Sequence, residues 1–162
     1  MGMRTLFTLA FGTMLAFTAG AHAQQPLPSY GSPGVTLAQA KVAAEAAEAE
    51  ANKNGWHMAI AVVSNEGSLI YFGRMEDTQF GSTDVAMRKA KTAAEFRRPT
   101  KVFQDGVTGT PPALPVLTLG AIAVQGGLPL FSGGKVIGAI GCSGGTAAQD
   151  EQACKAGAET IK

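Results

Sequence analysis

The sequence predicts an α+β fold, a single domain in which helices pack on a five-stranded antiparallel sheet. Two Thr-x-x-Gln capping boxes, Thr36 with Gln39 and Thr146 with Gln149, each precede an alanine-rich stretch of helical character. Apolar runs separated by glycine-containing turns are typical of β-hairpins, which join neighbouring antiparallel strands. Because the strands occur in adjacent groups and do not alternate with helices, the sheet is expected to be antiparallel.

The first helix is predicted from Thr36 to about Asn54, and Gly55 ends it. β-rich runs at 58–64 and 68–73 follow, separated by an Asn-Glu-Gly turn, and are predicted to form a hairpin. The apolar positions of the helix recur at helical spacing and are mostly alanine, which favours close packing on a sheet or on another subunit: Leu37, Ala40, Ala44, Ala47 and Ala51.

A second helix is predicted from Asp84 to about Phe96, with Ser82 or Thr83 as its amino-terminal cap. Lys89 lies between apolar positions of this helix. Its stem can follow the surface while its ammonium stays in water, or the ammonium can contact an anion.

The carboxy-terminal part is predicted to contain three more strands and a helix. A short helical turn can begin at Thr100, and the β-rich run 116–124 is predicted to be a strand. Runs at 128–131 and 135–142 flank a Ser-Gly-Gly turn and are predicted to form a second hairpin. The last helix starts at the second capping box.

Residues 1–23 have the organisation of a secretory signal peptide, in which Arg4 precedes an apolar core that ends in Ala21-His22-Ala23. The apolar run is too short for a membrane span, so no span is expected after cleavage. The alternative is an uncleaved anchor. Residues 24–35, rich in proline and glycine, are predicted to be a flexible linker to a domain at 36–162. We therefore expect a periplasmic or secreted protein.

Charge and cysteine content restrict the possible partners. Removal of residues 1–23 takes away one basic residue and no acidic one, which leaves equal numbers of each. Such a chain lacks the basic excess that nucleic acid or an anionic membrane would require. Cys142 and Cys154 would meet an oxidising compartment, where they form either a disulfide or two buried free thiols.

Only His57 remains as a histidine once residues 1–23 are removed, since the other is His22. A multi-histidine zinc site and bis-histidine haem ligation within one chain are therefore excluded. Residues 141–145 match the G-x-S-x-G pattern of a hydrolase nucleophile elbow around Ser143. No histidine follows Ser143, however, and the predicted sheet is antiparallel, so we assign no catalytic residue.

Several side chains are candidates for ligand contacts. His57, Met75 or Tyr71 could be an axial ligand of haem iron, although a lone histidine at a strand end is also compatible with a purely structural role. Arg74 and Lys89 are the cations best placed to meet a carboxylate, such as a haem propionate or a small organic acid. Arg74 could equally pair with an acidic neighbour at 76 or 77.

In combination, these motifs resemble the GlcG/HbpS family of haem-binding proteins, which includes the carboxy-terminal domain of PduO-type corrinoid adenosyltransferases. The resemblance covers the chain from Thr36 to its end. It is carried by five ordered segments: Ile60-Ala61-Val62-Val63 with Gly67, Arg74-Met75, Lys89-Ala90-Lys91-Thr92-Ala93, Gly126-Gly127-Leu128-Pro129-Leu130, and Gly138-Ala139-Ile140-Gly141-Cys142-Ser143-Gly144-Gly145 with Gln149-Asp150-Glu151.

The resemblance implies a five-stranded antiparallel sheet, assembly into homo-oligomers, and haem binding with haem degradation or iron capture in some members. The pattern residues that map onto this chain are Arg74, Lys89, Thr92, Ser143 and Gly144, whereas no axial ligand is carried over. Two departures stand out: Ser64 replaces an aspartate of the first hairpin turn, and residues 76–78 replace Asp-Gly-Ala.

We therefore expect an exported, oligomeric protein that binds haem non-covalently and takes part in haem or iron handling. A module that binds a small organic acid is the alternative, with Arg74 and Lys89 as contacts. Peroxide-dependent haem degradation ranks third, since the sequence contains no acid/base pair that requires catalysis. A binding protein is accordingly favoured over an enzyme.

Overall fold

The structure is a computed structural model and describes residues 34–162. The signal peptide predicted at 1–23, and the linker up to residue 33, lie outside the described residues. In chain order the elements are α1 Leu37–Lys53, β1 Ala59–Ser64, β2 Leu69–Arg74, α2 Ser82–Phe96, α3 Lys101–Thr108, a 3-10 helix Leu114–Leu119, β3 Gly127–Ser132, β4 Lys135–Ser143 and α4 Ala147–Ala158.

The four strands form one antiparallel sheet in the order β2-β1-β4-β3. Central strand β1 is buried along nearly all its length, as expected for an apolar run between two neighbours. Helices cover both faces of the sheet. Residues of α1 and α4 pack with Ile60, Val62, Ile140 and Cys142 on one face, and α2 packs with Ala59, Ala61 and Ala139 on the other.

The alanine stripe of α1 is buried in the first of these layers. Small side chains allow the helix axis to approach the sheet closely, so this layer is thin. Its buried members are Ala40, Ala43, Ala44, Ala47 and Ala51. The alanine stripe therefore packs within its own chain, as predicted for a helix on a sheet.

The α+β fold is confirmed, but the prediction of five strands is wrong, because the run 116–124 does not join the sheet. Its first part belongs to the 3-10 helix Leu114–Leu119, where Pro115 fixes φ and lacks an N–H, and Gly120 ends the helix with a φ of 72°. Beyond Gly120, Ile122 donates its N–H to the Thr92 hydroxyl of α2. The segment is thus held by a side chain and not by a strand ladder.

Both capping boxes are present at the starts of α1 and α4. Helix α2 differs from the prediction, since Gly81 is its N-cap residue and no side chain caps it. Among residues 34–162, no helix is long and apolar enough to cross a membrane.

Candidate functional site

The candidate site lies at one end of the sheet, where the first residue of β1 stands between the last residues of its two neighbours. Ala59 pairs with Arg74 of β2 on one side and with Ser143 of β4 on the other. His57 and Met75 continue from these strands at the same end. We call this region the His57 end of the sheet.

His57 is exposed, and its ring orientation is fixed by one hydrogen bond. Its Nδ1 lies 3.0 Å from the carbonyl oxygen of Glu76 in the loop after β2. A carbonyl oxygen can only accept, so Nδ1 carries the proton in this contact. In the neutral form of the ring, Nε2 is then the nitrogen without a proton, and this nitrogen can bind a metal.

Met75 links β1 to β2 at this end. Its Sδ accepts the N–H of Met58 at 3.3 Å, and its own N–H donates to the Met58 carbonyl at 3.0 Å. The sulfur is thus engaged inside the chain. Tyr71 pairs with Val62 within the hairpin and packs against the core on the α1 side, so it belongs to the body of the sheet.

Arg74 and Phe80 form the outer part of the His57 end. The guanidinium of Arg74 donates to the Thr78 carbonyl and lies 5.0 Å from the centroid of the Phe80 ring. Phe80 is 87% exposed. Among the ion pairs of residues 34–162, none joins Arg74 to the acidic residues at 76 and 77, so its charge is free to meet an acidic ligand.

Lys89 does not keep its ammonium in water, and the anion that it contacts is a carboxylate of the chain itself. Its side chain is buried inside the protein, where Nζ donates to Asp150 Oδ2 at 2.6 Å and to the Cys142 carbonyl at 3.1 Å. Burial lowers the pKa of Lys89 and raises that of Asp150, while the attraction between the two groups acts against each change. An ammonium held in this way is not available to a ligand, so the organic-acid alternative retains only Arg74.

The pair extends its contacts to the turn between β4 and α4. The second carboxylate oxygen of Asp150 accepts the Gly145 N–H at 2.9 Å. Gly144 in this turn lies so close to the His57 carbonyl that a Cβ would collide with it. The turn at 143–145 is thereby held from inside by α2 and α4 and packs directly on the backbone of His57.

Cys142 and Cys154 form a disulfide next to this pair, with 5.6 Å between their Cα atoms. It joins the end of β4 to the middle of α4. Thr92, by contrast, is buried one turn beyond Lys89, and its hydroxyl accepts the Ile122 N–H. The structure therefore brings together His57, Arg74, Met75, Ser143 and Gly144, with Lys89 beneath them and Thr92 farther along α2.

Two residues of the candidate site were not identified from the sequence. Asp150 lies in the first turn of α4, where an acidic residue is common, and nothing in the local sequence indicates that it meets α2. Phe80 is a single aromatic residue in a polar loop. Within 34–162, no group of three or more His, Cys, Asp or Glu side chains could hold a metal ion.

Comparisons with known proteins agree with one another. A family model described as "Haem degrading protein HbpS-like" matches residues 35–159. The protein GlcG of Escherichia coli strain K12 is 38% identical over 101 residues, which is 60% of this chain and 72% of GlcG. A double mutant of Streptomyces reticuli HbpS superposes with a TM-score of 0.73 at 32% identity, covering 86% of this chain and 99% of that one.

A structure solved as a PduOC–haem complex superposes with a TM-score of 0.72 and covers 80% of this chain and 96% of that one. Its sequence identity of 24% shows the shared fold alone.

Proposed function

The chain belongs to the HbpS-like family, and on that premise we propose that it binds haem non-covalently at the His57 end of the sheet. The observation that carries the proposal is the imidazole of His57, which is exposed and has its Nδ1 fixed by the Glu76 carbonyl at 3.0 Å. A neutral imidazole with a free Nε2 is a common protein ligand of haem iron. Family membership supports haem as the bound group, and the geometry supports His57 as the ligand of its iron.

Two neighbouring side chains match the rest of a haem molecule. The Arg74 guanidinium suits a propionate, since it presents several N–H donors in a planar arrangement that matches a carboxylate. The exposed ring of Phe80 lies beside it and offers an apolar surface to a porphyrin. His57, Arg74 and Phe80 are all exposed, so one chain would cover only part of the haem.

Titration of the protein with haemin tests the proposal. We expect a saturable shift of the Soret band in the wild-type chain. His57→Ala should weaken binding at least tenfold and alter the spectrum, because the iron loses its protein ligand. Arg88→Ala is the control for truncation of an exposed side chain outside the site, since Arg88 forms an exposed pair with Asp84 on α2. A wild-type shift no larger than that of a nonspecific control protein would contradict the proposal.

Haem breakdown is a second candidate, favoured by the description of the family as haem degrading. Peroxide added to the haem-loaded chain should then bleach the Soret band and release iron faster than from free haem. Equal rates with and without protein would restrict the function to binding.

The proposal includes export and self-association. The signal-peptide pattern of residues 1–23 supports export, and the mature chain recovered from a periplasmic fraction should begin at Gln24.

The open His57 end and the exposed leucines of the 3-10 helix, at 114, 117 and 119, support a homo-oligomer. Size-exclusion chromatography with light scattering should give a multiple of the chain mass. A monomer mass at micromolar concentration would exclude the oligomer.

A further inference from the structure

The turn that packs on His57 is held at both ends by one buried ion pair. Lys89 of α2 donates to the carbonyl of Cys142, just before the turn, at 3.1 Å. Asp150 of α4 accepts the N–H of Gly145, at the end of the turn, at 2.9 Å. The ammonium and the carboxylate meet at 2.6 Å, with 1% and 4% of their side chains exposed.

We infer that the Lys89–Asp150 pair is a positioning device that sets the orientation of His57. The inference rests on the proposed function in one respect, namely that His57 is the group that meets the ligand. Neither Lys89 nor Asp150 can touch a ligand, because both are buried beneath the site. The pair therefore acts on the site through the turn.

The pair is connected to His57 through the turn at 143–145. Gly144 lies against the His57 carbonyl with no room for a Cβ, and Ser143 pairs with Ala59, two residues after His57. Any shift of the turn must therefore move the backbone of His57. The contact between the ring Nδ1 and the Glu76 carbonyl, which belongs to the loop after β2, would then change.

Stability alone does not account for a charged pair at this position. Well-packed apolar residues of similar volume often replace a buried ion pair without loss of stability. They could not, however, supply the two hydrogen bonds to the turn. Gly126 also leaves space for the ammonium, since a Cβ there would lie 2.9 Å from Lys89 Nζ.

The double variant Lys89→Met/Asp150→Leu tests the inference, because it removes both hydrogen bonds to the turn and keeps the apolar volume. The first measurement is the NMR signal of the His57 ring in the ligand-free chain, without a histidine tag. Once residues 1–23 are removed, His57 is the only histidine of the chain, and the spectrum of His57→Ala verifies its signal. We expect this signal to shift in the double variant.

The second measurement is haemin affinity, which we expect to fall at least tenfold in the double variant. The matched control is Lys101→Met/Asp105→Leu, which removes a Lys–Asp pair of the same 2.6 Å length from the exposed surface of α3. Its His57 signal and its haemin affinity should both equal those of the wild type.

A folded double variant with an unchanged His57 signal would overturn the inference, whatever its haem affinity. If the wild-type chain does not bind haemin but the His57 signal shifts, the proposed function fails and the positioning role stands. Should the double variant not fold, Asp150→Asn serves for the same comparison, because it keeps the size of the side chain but has a single oxygen for two donors, Lys89 Nζ and the Gly145 N–H, so one of these contacts is lost.

Discussion

At the scale of single residues, the main finding is a lysine whose charge is satisfied inside the protein. A lysine on an amphipathic helix usually extends its ammonium to water, and the sequence around Lys89 gives no sign of another outcome. The cause lies 61 residues away in the chain, where Asp150 meets it from the opposite helical layer. Such a contact depends on tertiary packing, so helical periodicity cannot predict it.

Lys89→Met should destabilise the chain by about 3–5 kcal/mol at neutral pH, because it leaves the Asp150 carboxylate buried without a counter-charge. Urea denaturation at pH 7 measures this loss. Lys101→Met, which opens an exposed pair, should change the free energy of unfolding by less than about 1 kcal/mol. Equal losses in the two variants would contradict the prediction.

The same variant should recover stability in acid. Burial raises the pKa of Asp150 above its ordinary 3.8, and removal of Lys89 takes away the main influence that opposes the rise. A raised carboxyl pKa means that the folded state binds the proton more tightly than the unfolded state. The stability difference from wild type should therefore shrink as the pH falls from 7 towards 4. A constant difference across this range would show that Asp150 does not remain buried in the variant.

At the scale of elements, the approach of α2 to the sheet depends on a glycine. A Cβ at Gly141 in β4 would collide with the carbonyl oxygen of Ala86. Gly141→Ala should force the helix and the strand apart and destabilise the chain by about 1–3 kcal/mol. Gly81→Ala is the control, because position 81 has open space and helical backbone angles, and it should stay within about 0.5 kcal/mol of wild type in thermal denaturation.

The disulfide belongs to the same scale, since it joins β4 to α4 across 12 residues of sequence. Replacement of both cysteines by alanine should lower the free energy of unfolding by about 2–4 kcal/mol, mainly because the unfolded chain becomes less restricted. Reduction of the wild type should have a similar effect in chemical denaturation. Alkylation of both thiols in unreduced, denatured protein, detected by mass spectrometry, would show that the bond is absent.

The sequence predicted the helices and hairpins well because their signals are local. Capping boxes satisfy free N–H groups within one turn, and glycine turns join adjacent strands. The strand predicted at 116–124 was wrong because local signals are not sufficient for a strand. These residues favour a strand, but a strand also needs the edge of another strand to pair with. At the candidate site, His57 and Arg74 could be named from residue type, whereas Asp150 and Phe80 required the folded chain.

At the scale of the whole molecule, the outer edge of β3 explains why the sheet stops there. Thr100 donates its N–H to the Gly127 carbonyl and accepts the Gly127 N–H through its hydroxyl. These two groups therefore point away from β4, and Pro129, two residues on, points the same way and has no N–H to offer.

This blunted edge limits how the protein can meet further chains. An extended peptide or a second copy that added a strand beside β3 would find its first ladder positions already bonded or lacking a donor, so edge-to-edge aggregation is disfavoured on that side. The opposite edge, β2, has no proline, and Leu69 at its start is half exposed. Strand exchange or fibril growth, if it is ever forced on this domain, should therefore proceed from β2.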